Sequence, residues 1–119
     1  NLNAAMALAQ LELLPEFIES KRQLAVRYQE WGRNNNIQFF CEPKNTKSNY
    51  WLNTVITKSK DEQLAMLKYT NNNGVMTRPV WEPMHKLPMY RGCFSLELIN
   101  TEWLSDRLVN VPSSVILNE

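Results

Sequence analysis

Apolar residues recur at helical spacing over residues 2–31. Leu11, Leu14, Ile18, Ala25 and Tyr28 fall near the i, i+3, i+7 repeat of one face. Glu12, Glu19, Arg22, Gln23 and Gln29 occupy the other. The stretch Ala4-Ala5-Met6-Ala7-Leu8-Ala9 is strongly helix-forming and almost uniformly apolar. Such a helix is expected to pack between two bodies, either two domains or two subunits. Pro15 predicts a kink or a restart. Gly32 and the run Asn34-Asn35-Asn36 predict the end of the helix.

Beyond it the period changes. Residues 37–41 form a short apolar run read as a strand, and residues 42–48, with Pro43, read as a loop. Residues 49–57 give the clearest strand, with Tyr50, Leu52 and Ile56 on one face and Trp51 and Val55 on the other. Apolar residues on both faces predict a central strand covered on both sides. Ser59-Lys60-Asp61-Glu62 is a capping box that opens a second helix through Leu64 and Leu67. Gly74 closes that helix as a left-handed cap, and residues 75–80 follow as a third strand. Asn100 is expected to cap a short helix over residues 101–107, and 108–111 is a last extended piece. The order predicts an α+β fold: a long N-terminal helix and a small, mostly antiparallel three-stranded sheet with helices on one face.

The richest chemistry lies in Thr-Arg-Pro-Val-Trp-Glu-Pro-Met-His-Lys-Leu-Pro-Met-Tyr, residues 77–90. It holds three of the six prolines and the single histidine. Each proline fixes its own φ and pushes the preceding residue toward extended geometry, so a stiff irregular loop is expected. Such loops serve binding sites. Candidate site residues are Arg78, which can grip a phosphate or carboxylate with two parallel bonds, Trp81 and the titratable His85. The plainer alternatives stay open. Arg78 pairs with a nearby carboxylate such as Glu82, and His85 bonds a backbone carbonyl of its own loop. Trp51 and Trp103 are read as core, and Trp31 as part of an interdomain surface.

Composition narrows the function classes. At 119 residues the chain is one domain with a modest core. A net charge of +1 gives no reason to expect nucleic acid or an acidic membrane as partner. No apolar run is long enough to span a bilayer, and a cytoplasmic location is expected. Cys41 and Cys93 lack metal-ligand spacing and are read as buried, reduced thiols. Three glycines leave no phosphate-cradling loop, and nothing beside His85 reads as a nucleophile. The chain opens at Asn1 within a helical pattern and stops at Glu119 soon after an apolar run, so both ends read as cut.

Three separated stretches carry a family resemblance. The first is Asn3-Ala4-Ala5-Met6-Ala7-Leu8-Ala9-Gln10-Leu11, with Phe17-Ile18, Arg22, Ala25 and Tyr28. The second is Gly74-Val75 with Arg78-Pro79-Val80-Trp81-Glu82-Pro83-Met84-His85. The third is Val109-Asn110-Val111-Pro112-Ser113-Ser114. Together they resemble the C-terminal part of a DegT-type nucleotide-sugar aminotransferase, a fold-type-I enzyme dependent on pyridoxal phosphate (PLP). Trp81 and Met84-His85 resemble the branch acting on 4-keto sugars of UDP-linked N-acetylhexosamines.

The resemblance implies that residues 1–119 are the small C-terminal domain of a larger enzyme that transfers an amino group, with glutamate as donor, to a keto-sugar nucleotide. It implies a larger domain holding PLP and the lysine that carries it. None of Lys21, Lys44, Lys47, Lys58, Lys60, Lys68 and Lys86 sits in a matching context, so no cofactor and no turnover are expected of this chain alone. It further implies a homodimer contact through the first helix, and a final helix after Pro112-Ser113-Ser114. Residues 91–99 match no part of the pattern. The competing readings are a complete non-enzymatic protein-binding module and a dimerisation module built on the first helix.

Overall fold

The computed structural model describes residues 1–115. Helix α1 runs Leu2–Asn34. The Asn1 side chain caps it by accepting from the Asn3 amide at 3.1 Å, a cap the sequence pattern did not predict. The helix continues on both sides of Pro15, which withholds one backbone N–H from the ladder.

The sheet has four strands, not three: β1 (Gln38–Phe39), β2 (Asn53–Ile56), β3 (Arg78–Pro79) and β4 (Leu108–Val111), in the spatial order β1-β2-β4-β3. Every neighbouring pair is antiparallel. The last extended piece is an inner strand, pairing Asn53 with Val111 and Val55 with Val109 on one side and Arg78 with Asn110 on the other. Strand β2 is central, as its two apolar faces predict, but it starts at Asn53. Upstream of it, Tyr50 has φ 45° and Ser48 and Asn49 fold their side chains onto the amides of Tyr50 and Trp51. These local turns compete with the ladder and break the alternation before Trp51.

Helix α2 (Lys60–Asn72) begins with the predicted box. Ser59 Oγ accepts from the Glu62 amide at 3.2 Å. The Glu62 carboxylate reaches back to the amide of Lys58, one residue before the cap, at 2.6 Å. Gly74 takes φ 77° after the helix, in the left-handed region the cap requires. Helix α2 buries a polar residue rather than Leu64. Gln63 is fully buried and donates to the carbonyls of Ser105 (2.9 Å) and Leu108 (2.8 Å), closing the turn that leads into β4. Helix α3 spans Ile99–Ser105 with Leu98 at its cap position and no side-chain cap. The expected Asn100 cap fails because the helix has already begun at Ile99.

The buried apolar core consists of Ala25, Val55 and Val109, where α1, β2 and β4 meet. The second half of α1 is docked by polar clamps. Lys21 Nζ donates to the carbonyls of Ser113 and Trp51. Tyr28 Oη donates to Pro112 O at 3.0 Å, and its ring stacks on Phe39 with centroids 5.3 Å apart. Arg22 grips Glu42 at 2.8 Å and Ser48 O at 2.6 Å. Buried Ser113 receives the Asn53 amide at 2.8 Å, so the Pro112-Ser113-Ser114 run pins helix, strand and chain end together.

Among the described residues the first half of α1 has no such partner. Residues 2–16 are all exposed, including Leu2, Met6, Leu8, Leu11, Leu13 and Leu14. No helix among the described residues is long and apolar enough to cross a membrane. The helix implied after Pro112-Ser113-Ser114 lies outside the described residues. Cys41 and Cys93 are free thiols as expected, but both are exposed. Cys41 follows the edge strand β1, and Cys93 follows the proline loop, where no layer covers them.

Candidate functional site

The proline segment leaves β3, an edge strand, at Pro79. It is not a uniform loop. Two single 3-10 turns, Met84–Lys86 and Pro88–Tyr90, sit behind Pro83 and Leu87. Leu87 has φ −68° and ψ 139°, the extended geometry imposed by the following proline, so the two turns stay separate. The segment therefore presents its side chains in two groups.

Arg78 and Trp81 form the first. They line a concavity of about 330 Å³ with Trp51, Met76, Pro79 and Asn110. The Trp51 and Trp81 rings stack at 6.0 Å with a 26° interplanar angle, and both are largely in solvent, 64% and 72% exposed. The expected core placement of Trp51 is therefore incorrect. The turn at Ser48-Asn49-Tyr50 delivers it to the surface beside Trp81. Among the described residues Arg78 makes no ion pair, with Glu82 or any other carboxylate. Its Nη2 lies 3.5 Å from Met76 Sδ. A free guanidinium beside an exposed aromatic pair suits a ligand with a negative charge and a flat ring.

Asn110 completes this wall from β4. Its Oδ1 accepts from Thr54 Oγ1 at 2.9 Å and its Nδ2 reaches Pro79 O at 3.5 Å. Trp51, Met76 and Asn110 escaped the sequence reading because the strand order β2-β4-β3, which places them side by side, is a tertiary fact. The third motif, with Asn110 in it, was the one available signal.

His85 belongs to the second group. Its Nε2 lies 2.9 Å from Glu102 Oε1 on α3, so it does not bond a carbonyl of its own loop. It lines a separate cavity of about 430 Å³ with Met84, Tyr90, Phe94, Leu98 and Thr101, which contains neither Arg78 nor Trp81. Segment 91–99, without a sequence pattern, supplies the opposite wall. Trp103 was also expected in the core. It is half-exposed, with the Arg107 guanidinium 4.5 Å above its ring.

Comparison with known proteins places this geometry in context. The profile of the DegT/DnrJ/EryC1/StrS aminotransferase family matches residues 1–119. GDP-perosamine synthase of Escherichia coli O157:H7 is 34% identical over 113 residues, covering 95% of this chain and 30% of the relative. The GDP-perosamine synthase of Vibrio cholerae is 32% identical over 118 residues, covering 95% and 32%. The chain thus spans about a third of the length of these relatives. Among solved structures, the aminotransferase TlmJ from Streptoalloteichus hindustanus superposes with a TM-score of 0.85 at 23% identity, over 98% of this chain and 31% of that one. Helicobacter pylori PseC, an aminotransferase involved in pseudoaminic acid biosynthesis, gives 0.84 at 18% identity, over 96% and 32%. At these identities the superpositions speak to the fold.

Proposed function

Since this chain belongs to the DegT/DnrJ/EryC1/StrS aminotransferase family, we propose that it is the small C-terminal domain of a PLP-dependent enzyme that moves an amino group, with glutamate as donor, onto a keto-sugar nucleotide. The relatives named as GDP-perosamine synthases support a sugar-nucleotide substrate, and leave a UDP-linked 4-keto sugar and a GDP-linked one as rival choices. The observation that carries the substrate role is the unpaired Arg78 beside the stacked Trp51 and Trp81. Arg78 holds the diphosphate, and the tryptophan faces hold a flat group of the nucleotide. His85 approaches the same ligand from the neighbouring turn. The exposed leucines of α1 are then the surface that meets the larger domain and a second subunit. A cytoplasmic location goes with such a substrate.

No lysine among the described residues is placed to carry PLP at the proline segment: none of the seven lines either of its cavities. The Lys21 ammonium is already taken by the carbonyls of Ser113 and Trp51. The cofactor and the transfer chemistry therefore fall to the larger domain, and this chain's part is to bind and orient. It has no transaminase activity alone, with PLP, glutamate and a 4-keto sugar nucleotide supplied. Titration of tryptophan fluorescence with UDP and GDP tests the binding role. Quenching is expected, and Arg78→Ala should weaken it about tenfold or more, the loss of one charge-assisted contact of about 1.5–3 kcal/mol. Equal affinity in the variant, or no quenching by either nucleotide, refutes this assignment.

A further inference from the structure

Residues 48–51 belong to no helix or strand, yet they set the position of Trp51, one half of the stacked pair in the tryptophan concavity. Their backbone is unusual. Tyr50 takes φ 45°, in the left-handed region that a bulky aromatic residue rarely adopts. Such a conformation persists only where the surroundings impose it. Part of the hold is local. The Ser48 hydroxyl accepts from the Tyr50 amide at 3.0 Å, and the Asn49 side-chain oxygen accepts from the Trp51 amide at 3.1 Å.

The rest comes from α1 and from Glu42. The Arg22 guanidinium donates to both Glu42 oxygens, at 2.8 and 3.1 Å, and to the Ser48 carbonyl at 2.6 Å. The same Glu42 carboxylate accepts from the Ser48 amide at 2.6 Å, so one ion pair occupies both backbone groups of Ser48. The guanidinium also lies 5.5 Å from the centre of the Tyr50 ring, and Gln29 Nε2 reaches Tyr50 Oη at 3.4 Å. At the far end Lys21 Nζ donates to the carbonyls of Trp51 and Ser113. Helix α1 therefore grips the turn at its first residue, at its strained residue and at its last. None of Lys21, Arg22 and Glu42 lines the concavity itself.

We propose that Arg22, Glu42 and Lys21 are positioning residues for the tryptophan concavity: they hold the 48–51 turn in the conformation that lays the Trp51 ring against Trp81, and so set the affinity for a nucleotide from behind the site. Trp51 is largely exposed, and without a fixed backbone its ring would sample other positions. An aromatic face already in place does not have to be ordered when the ligand arrives. The choice of a nucleotide rests on the reading of the concavity given above; control of the Trp51 geometry by the clamp does not.

Stacked indoles give an exciton couplet in far-UV circular dichroism, and Trp81→Phe should abolish it in the folded chain. Arg22→Lys keeps the charge but not the planar fork that spans Glu42 and Ser48, and Glu42→Gln keeps an acceptor but not the ion pair. Both variants are expected to stay helical, to lose most of the couplet and to bind UDP and GDP at least about fivefold more weakly, the loss of one base–aromatic stack. Lys21→Met leaves the ion pair in place, should act in the same direction, and carries the test if the ion-pair variants unfold. Tyr28→Phe removes a bond between α1 and Pro112 without touching the turn, so it should lower stability and leave couplet and affinity unchanged. A clamp that merely docks α1 would make all four variants behave like Tyr28→Phe. A wild-type couplet untouched by Trp81→Phe, a couplet intact in the clamp variants, or one lost equally in Tyr28→Phe overturns the proposal. A lost couplet with unchanged nucleotide affinity overturns the clamp's part in recognition. Failure of the wild-type chain to bind either nucleotide strikes the reading of the concavity instead, and the couplet still decides the clamp.

Discussion

Gly32→Ala is the substitution whose sign depends most on tertiary contact. Judged as helix sequence alone, replacing a glycine within α1 should stabilise by about 1 kcal/mol. The packing says otherwise. A Cβ on Gly32 would sit 2.5 Å from the Ile37 carbonyl oxygen and 2.7 Å from Phe39 Cδ2. The carbonyl is backbone, and Ile37 is tied to Gly32 by its own amide donating to Gly32 O at 2.9 Å. The left-handed Asn36 (φ 56°) sets that turn, and the Phe39 ring is held against Tyr28. Neither neighbour can withdraw without opening the contact between α1 and β1. Overpacking of this kind costs about 1–3 kcal/mol, and a clash with backbone belongs at the upper end. The net effect is a loss of about 1–2 kcal/mol. With a urea slope of about 1.5 kcal/mol/M, the unfolding midpoint should fall by about 1 M. Equilibrium urea unfolding followed by far-UV circular dichroism measures it. Gly74→Ala serves as comparison, since nothing lies within 4 Å of its Cβ and only the positive φ is strained. A Gly32→Ala chain with a midpoint at or above wild type would refute the close-packing argument.

Two further outcomes follow from other parts of the chain. The exposed leucines of α1 should drive concentration-dependent self-association, seen by sedimentation velocity, and Leu8→Glu with Leu11→Glu should weaken it at least about tenfold, since each buried leucine contributes about 1.5 kcal/mol or more; a wild-type chain that stays monodisperse at high concentration would count against an interface there. Glu42 is held well below its usual range, to about 2 from 4.5, first by the Arg22 hydrogen bond and then by the Ser48 amide. A carboxylate depressed by folding stabilises above its unfolded value, so the clamp contributes fully above pH 4.5 and is lost as pH falls toward 2. Glu42→Gln should therefore be less stable than wild type at neutral pH, with the gap closing across that acid window; a gap independent of pH would show that Glu42 stays uncharged or unpaired.

Local rules fix much of this molecule, and they were legible because each acts over a few residues. The Ser59 and Glu62 box, the left-handed Gly74, the long amphipathic α1 and the central β2 all depend on spacing within a turn or a strand. The three motifs also identified the family, and the side chains of the proline segment marked Arg78, Trp81 and His85 as the residues worth locating. What spacing cannot carry is the choice of partner across the chain. The promotion of 108–111 to an inner strand depends on ladder bonds to residues more than 25 positions away. The exposure of Trp51 has a local cause that the strand-like pattern hid: an Asx turn and a positive φ at Tyr50 lift it out of the strand it was read into. The choice of partner also separates Arg78 from His85. They are seven residues apart, yet the two proline-bounded turns place them in different cavities, and Glu102, which holds His85, comes from a helix that no local signal linked to it. Composition could count the charges of this protein. Only the tertiary contacts decided which of them are already paired, leaving Arg78 without a carboxylate among the described residues and His85 with one.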